Sequence, residues 1–471
     1  MSKQINVIII GAGIGGEYLL KELERQRYGN YKIIGFIDDD KEKIGKEVKG
    51  FSVLNSTDHI LELTYKYNID LFIIAIPSAS GEVIERIVNI IKQTSANFMI
   101  VPPIFKNLKI NQISYPREVE ITDLLRRPLE NVLTADSMKQ LKDSIILITG
   151  VAGSIGSELC IQIASCFPKK IIGLDCAETP LFNIRNEINI RFPKLDFIPI
   201  LTNIRDKKKV KQIIEIHKPQ IIYHCAAFKH VGLMESFPQE CVSNNIQGSL
   251  NVINEAISNQ IGRFVFVSTD KAVKPLGIMG SSKRIIEKYI LSLPKKHTKF
   301  MIVRFGNVLE SNGSAIEIFK EQIQKGGPVT ITDKKMDRYF MTITEAAQLV
   351  VQASILGEGG ELFVLDMGQP YKIIDIIHRL IELHGLSIST IPIKVIGKRP
   401  GEKLSEALFY EHEKPNPTKH ERILSCSTSI NENIEDFKKE VELFVANHLE
   451  MDEKEIRAKL LELAKEKLPK N

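Results

Sequence analysis

Four consecutive residues, Ser268, Thr269, Asp270 and Lys271, with Lys283 shortly beyond, carry the side chains best suited to moving protons. A carboxyl can release a proton to a departing hydroxyl, an amine can take one from carbon once its pKa has fallen, and a neighbouring hydroxyl can bond a reacting oxygen. The segment STDKAVKPLGIMGSSK, residues 268–283, directly follows the apolar run RFVFV. That places it at the carboxyl end of an expected parallel strand, where doubly wound folds bind their ligands. An Asp-Lys pair alone reads as a surface ion pair. With Ser268, Thr269 and Lys283 around it, the functional reading is preferred.

A cofactor site is expected from two glycine-rich turns, each between an apolar strand and a helix, because such a turn brings a pyrophosphate against the backbone at a helix N-terminus. The first is INVIII followed by GAGIGG, with Gly11, Gly13 and Gly16 at dinucleotide spacing and Asp38 placed to meet a ribose hydroxyl. For this loop a bound nucleotide and an empty tight turn stay equally open. The second is SIILITG followed by VAGSIG, with Gly150, Gly153 and Gly156 around Ser154 and Ile155. Asp175, ending the next strand, would accept from an adenosine ribose and repel a 2′-phosphate, so NAD is expected rather than NADP. Asn203 and Ile204 in TNIRD, Ala226 and Ala227 after IIYHC, and Lys229 are the further cofactor contacts expected.

The second loop has the spacing typical of extended short-chain dehydrogenases/reductases, which carry Tyr-x-x-x-Lys on the helix after the fifth strand. The lysine holds the nicotinamide ribose and lowers the tyrosine pKa. Lys283 is in place, but Met279 stands at the tyrosine position. A thioether accepts no proton at neutral pH, so either other groups run the chemistry or the domain is inert. Together with HCAAFKHVGLME, RFGNVLESNGSAI, GGPVTITD, MDRYFMTITEA and KRPGEKLSEAL, the string around Asp270 resembles the UDP-N-acetylglucosamine 4,6-dehydratases of bacterial polysaccharide and glycan biosynthesis, the PglF, WbpM and CapD group. The resemblance runs to about residue 425 and includes GFIDDD and AIPS near the front. It implies hydride loss from sugar C4, removal of water across C5 and C6, and hydride return to C6. Asp270 would be the acid, Lys271 the base, and Thr269 the partner of the reacting hydroxyl.

The same resemblance implies a nucleotide sugar held by Lys229, His230, Asn307, Ser314, Arg338, Arg399 and Glu402, although Glu402 and Lys403 would serve equally to pin their loop. UDP and GDP stay open as the nucleotide, and a homo-oligomer is expected. Two departures from the group stand out: Asn312 replaces a common arginine, and the membrane helices that begin larger members are not seen. A 4-epimerase, which depends on the missing tyrosine, and a non-catalytic NAD-binding scaffold are the competing readings.

Strand-like runs alternate with amphipathic stretches to about residue 365, and the alternation starts twice. Two α/β Rossmann-like units follow, each a doubly wound parallel sheet. Residues 1–135 are expected as a nucleotide-binding front domain and 136–428 as the extended catalytic domain, with substrate-binding segments at about 309–340 and 369–428. Residues 429–471 are expected as a charged helical tail. With 43% hydrophobic and 26% charged residues among 471, and a formal charge of +5 from scattered side chains, the chain reads as globular and not as a nucleic-acid binder. Six cysteines stand singly, without metal-ligand spacing, so no metal site, no disulfide framework and a cytoplasmic setting are expected. No apolar run reaches the ~18 residues of a membrane helix, so no membrane insertion is expected.

Overall fold

The computed structural model describes residues 4–25, 30–101, 117–125, 132–427 and 434–465. The chain divides into two compact units, Met1–Asn131 with Glu382–Gly385, and Val132–Ile381 with Leu386–Asn471. In the first, strands Ile5–Ile10 and Leu71–Ile74 are nearly all Ile, Leu, Val and Phe because a central parallel strand is covered on both faces. The sheet runs Glu47–Val48, Phe51–Asn55, Tyr31–Ile37, Ile5–Ile10, Leu71–Ile74, Asn97–Ile100, and only its first pair is antiparallel. Much of the polar connection expected between the units, 102–116 and 126–131, lies outside the described residues.

The second unit contains every strand expected for it. Seven parallel strands lie in the order Asp196–Leu201, Lys170–Asp175, Ile145–Thr149, Ile221–His224, Arg263–Thr269, Lys299–Phe305, Glu361–Leu365. The order reverses beside Ile145–Thr149, which opens a crevice at the strands' carboxyl ends. Side chains alternate between the faces: Phe264 and Phe266 enter one core, Val265 and Val267 the other.

Three boundaries differ from the sequence expectation. Val132 and Leu133 are buried in the second unit, and Thr134 caps the helix Ala135–Leu141, so this unit begins near residue 132 and not 136. The segment 369–428 is not wholly given to substrate binding: Ile423–Ser427 pairs antiparallel with Glu361–Leu365 and extends the main sheet, followed by Lys414–Pro417. The tail is no separate segment either. Its helices Ile434–Asn447 and Glu453–Ala464 bury Phe437, Val441, Phe444, Ile456, Leu460 and Leu463 in the same core as the helix Ile278–Leu291.

That central helix is buried at every position from Ile278 to Ile290, polar side chains included. Lys288 shows why this is tolerable. Its ammonium donates to the carbonyls of Leu463 at 2.8 Å and Lys465 at 2.9 Å, closing the last helix, and lies 4.4 Å from the Phe437 ring centroid. At the other end, Glu235 accepts from the amide of Ile278 at 2.7 Å and is itself held by Arg457 from the last helix. Phe437→Ala is therefore expected to lower the stability of the second unit by about 3–5 kcal/mol, read from its denaturant-unfolding midpoint. A change below about 0.5 kcal/mol, as at an exposed surface site, would mean that the tail does not pack as described.

Candidate active site

The second glycine turn is built for close approach. Gly150 has φ 70°, and a Cβ there would fall 2.7 Å from the Ala226 backbone; a Cβ on Gly156 would fall 2.0 Å from the Gly150 carbonyl oxygen. Gly153 is the N-cap of the helix Ser154–Ala164. Asp175 accepts from the amides of Ala152 at 3.0 Å and Ala177 at 2.9 Å, so its carboxylate also fastens the turn. Beside it a recess of about 250 Å³ is lined by Asp175, Asn203, Ile204, Ala226 and Ala227. Asn245, which the sequence reading passed over, fixes the loop in between: its amide accepts from Phe228 N at 2.7 Å and donates to Phe228 O at 3.0 Å. It lies in a one-turn π-helical stretch, Val242–Gly248, a distortion that recurs at functional sites.

Sharing Gly150, Gly153, Ala227 and Phe228 with that recess is a cavity of about 700 Å³. Ser154, Ile155, Lys229, His230, Thr269, Lys271, Met279, Lys283, Asn307, Ser314, Arg338, Arg399 and Glu402 all line it, so residues far apart in sequence are brought together. Burial pushes the Lys283 amine down to about 8; its Nζ donates to the Val267 carbonyl at 2.8 Å and lies 4.5 Å from the Phe266 ring centroid. Burial also lowers the pKa of Lys229, against the pull of Glu317, and that of His230, where Lys229 adds to the effect. His224 is different: buried between Thr149 and Ser249, with its pKa pushed down to about 3, it is a neutral structural link.

The cluster of Thr269, Asp270 and Lys271 is linked internally. Asp270 Oδ1 accepts from Thr269 Oγ1 at 2.9 Å and from Lys271 Nζ at 3.0 Å, and Lys271 Nζ also donates to Asn307 Oδ1 at 2.9 Å. Asp270 itself is fully buried and does not line the cavity. It stands one layer behind the wall. Its Oδ2 has no partner among the described residues and faces Gly306, where a Cβ would come within 3.2 Å. Asp270 therefore communicates with the cavity through Thr269 and Lys271.

Two expected substrate ligands are otherwise engaged. Arg338 Nη1 donates to the carbonyls of Asp337 at 2.6 Å and Leu404 at 2.8 Å, and Nη2 to that of Lys403 at 2.7 Å. Its fork holds the 403–404 loop rather than standing free for a diphosphate. Glu402 likewise accepts from Thr332 Oγ1 at 3.2 Å and Arg399 N at 3.4 Å, the pinning alternative. Asn307 is partly committed to Lys271, whereas Arg399 is exposed and Ser314 Oγ is buried without a partner among the described residues.

Beneath the cluster lies an ion network that sequence reasoning missed entirely. Arg304, wholly buried, bonds Glu287 through Nε at 3.1 Å and Nη2 at 2.7 Å, and Glu413 through Nη1 at 2.7 Å. Arg284 adds a bond to Glu287 at 3.0 Å, and Ser268 another at 2.7 Å. Burial opposes ionisation of Glu287, but Arg304, Arg284 and Ser268 outweigh it and hold its pKa below the ordinary 4.5.

In the first unit the other glycine turn repeats the same backbone design. Gly11 has φ 105°, a Cβ on Gly16 would fall 2.1 Å from the Gly11 oxygen, Gly13 is open, and Asp38 accepts from Ala12 N at 2.8 Å. Asp38 is also ion-paired with Lys43 at 3.1 Å, a partner that Asp175 lacks. All six cysteines are free thiols. Among the described residues, no cluster of metal-ligating side chains occurs, and no helix is long and apolar enough to cross a membrane.

Residues 146–428 match the family described as "Polysaccharide biosynthesis protein", and residues 1–102 match one described as "CoA-binding domain". The probable polysaccharide biosynthesis protein EpsC of Bacillus subtilis is 41% identical over 409 residues, 86% of this chain and 68% of that protein. The capsular polysaccharide biosynthesis protein CapD of Staphylococcus aureus is 41% identical over 417 residues, 86% of this chain and 69% of that protein. Among solved structures, Pen from Bacillus thuringiensis is 31% identical with a TM-score of 0.56, covering 61% of this chain and 90% of its own.

Breaking the ion network is expected to be costly, because removing one partner leaves a buried charge uncompensated. Arg304→Met should destabilise the second unit by about 3–5 kcal/mol. The depressed pKa of Glu287 means that its stabilisation is complete above the ordinary carboxylate range and is lost as pH falls through the lowered folded value. In Glu287→Gln this acid-side loss should shrink; an unfolding midpoint with the wild-type pH dependence below pH 4.5 would contradict the assignment.

Proposed function

Because the chain belongs to the polysaccharide biosynthesis protein family, we propose that it is an NAD-dependent nucleotide-sugar 4,6-dehydratase acting on UDP-N-acetylglucosamine. The observation that carries this reading is the bonded trio Thr269, Asp270 and Lys271, of which Thr269 and Lys271 line the same cavity as Lys283 and Asp270 backs them, with Met279 at the position of the usual tyrosine. The adjoining recess suits NAD: the cradle at Gly150 and Gly156 leaves no room for a Cβ, and Asp175 stands where an adenosine ribose would lie.

When bound, NAD takes a hydride from sugar C4 and returns it to C6. Lys283, on the helix Ile278–Leu291 with its Nζ on the Val267 carbonyl, would orient the nicotinamide ribose. Thr269 accepts the O4 proton and passes it to Asp270, to which it is already bonded. Lys271, as the amine, takes the C5 proton, whose electron pair becomes the C5–C6 double bond as the C6–O bond breaks. The leaving hydroxyl departs as water with the proton held by Asp270, delivered through the same threonine hydroxyl. Lys271 then returns a proton to C5 as C6 is reduced, and the sequence is redox-neutral. A 4-epimerase would need only the first exchange and a tyrosine to run it; Met279 disfavours that reading.

Asp270→Asn and Lys271→Met should each lower turnover by about 100-fold or more while leaving NAD bound. Near-wild-type rates in both would remove the pair from the mechanism. In heavy water the keto-sugar product should carry deuterium at C5, because the Lys271 ammonium exchanges with solvent, and substrate-derived protium at C6, because carbon-bound hydrogen on a nicotinamide does not. Mass spectra showing no solvent label, or label chiefly at C6, would sink the dehydration.

A further inference from the structure

Glu406 has no part in the chemistry described so far, yet it is a buried carboxylate in the wall of the same cavity, with its side chain 3% exposed. It faces three cations. Its oxygens lie 3.9 Å from Lys271 Nζ, 3.2 Å from Lys403 Nζ and 3.9 Å from Arg338 Nε. An acid in such a place costs free energy unless its charge is used.

The surrounding segment is fastened from several sides to the turn that carries Asp270 and Lys271. Lys403 Nζ donates to the Val273 carbonyl at 2.6 Å, Tyr410 Oη to the Ala272 carbonyl at 3.2 Å, and Arg338 holds the carbonyls of Lys403 and Leu404. Glu413, at the far end, is bonded to Arg304. With these bonds in place, the carboxylate the segment brings up to the reacting turn is Glu406. Lys403 lies on Oε2, whereas Arg338 Nε shares Oε1 with Lys271 Nζ, so Glu406 is a charge balanced by cations rather than a bare excess of anion.

We propose that Glu406 is a positioning residue for the elimination half of the reaction: with Asp270 and Asn307 it fixes Lys271 Nζ, and it stabilises the positive charge that Lys271 acquires on taking the C5 proton. The inference rests on the reading of Lys271 as the C5 base. A preorganised charge aimed at a developing cation acts on the step in which that cation forms and leaves other steps alone. Oxidation at C4, which depends on Thr269 and the Lys283 side of the cavity, should be spared.

The test is a comparison of the two half-reactions in the full-length protein with bound NAD and UDP-N-acetylglucosamine. In Glu406→Gln, steady-state turnover is expected to fall by at least tenfold with KM within about twofold. In a single turnover, absorbance of bound NADH at 340 nm should accumulate where the wild type shows little, and wash-in of solvent deuterium at C5 should slow in parallel. Glu406→Asp keeps the charge and its pairing with Lys403 but withdraws it from Lys271, and should show the same accumulation. A raised KM with unchanged kcat, or equal slowing of C4 oxidation and C5 exchange in either variant, would mean that Glu406 merely holds its loop and would overturn the proposal. Failure of the wild type to form a keto-sugar labelled at C5 would instead overturn the dehydratase reading, whatever the variants do.

Discussion

A guanidinium wholly removed from water persists only if its charge is matched and its donors are filled, and Arg304 meets that condition with carboxylates from two distant parts of the chain. Glu287 lies on the helix that carries Met279 and Lys283. Glu413 closes the segment that carries Glu406, and Ser268, on the strand that ends in Thr269, bonds Glu287 as well. Strand register makes the meeting possible, since Ser268 and Arg304 are direct neighbours on adjacent parallel strands. One ion network thus sets the mutual positions of the cofactor-side helix, the proton-moving turn and the substrate-side loop. Because a half-broken network costs more than an apolar replacement of the whole, these elements must move together or hardly at all.

The tail acts on the same assembly from the opposite side. Lys288 is committed to the end of the last helix, and Arg457 holds the Glu235 that caps the first turn of the central helix. The helix bearing Lys283 is therefore gripped at both ends, and no water-exposed face is left on it to relax. A lysine held in that way keeps a depressed pKa because neither it nor its surroundings can shift toward solvent.

What could be read in the sequence was local. Glycine spacing foretold the turns at Gly150 and Gly11, and apolar runs foretold the central parallel strands of both units, because each depends on residues adjacent in the chain. What escaped depends on long-range closure. Nothing near Arg304 in sequence announces Glu413, and in RPGEKLSE the choice between holding substrate and pinning the loop stays open until Arg338 is seen spending its fork on that loop's carbonyls. Asn245 left only the faint signal of amides in an apolar helix, SNN, and the tail read only as charged helices because its buried Phe437, Val441 and Phe444 are diluted by charge. Asp270 was found, but its place behind the wall was not: alternation along a strand predicts a face, and the turn after it does not alternate.

That displaced carboxyl explains how a methionine can occupy the tyrosine position without disabling the cavity. In the usual arrangement one tyrosine, tuned by the lysine beside it, moves the proton at the site of hydride transfer. Here Met279 contributes only apolar wall, with 4% exposure, and Lys283 lines the same cavity, where the proposed reading gives it to the cofactor. On the proposed reading, proton movement passes to groups on the neighbouring turn, which are bonded to one another and lie against Asn307 and the loop of Glu406. The cost of that separation is a second supporting structure, since a tyrosine on the lysine's own helix needs no loop to place it, whereas Lys271 does. The segment from Arg399 to Glu413 is that structure, and its bonds to the carbonyls of Ala272 and Val273 are what a site needs when the proposed proton-moving turn and the cofactor lysine come from different elements.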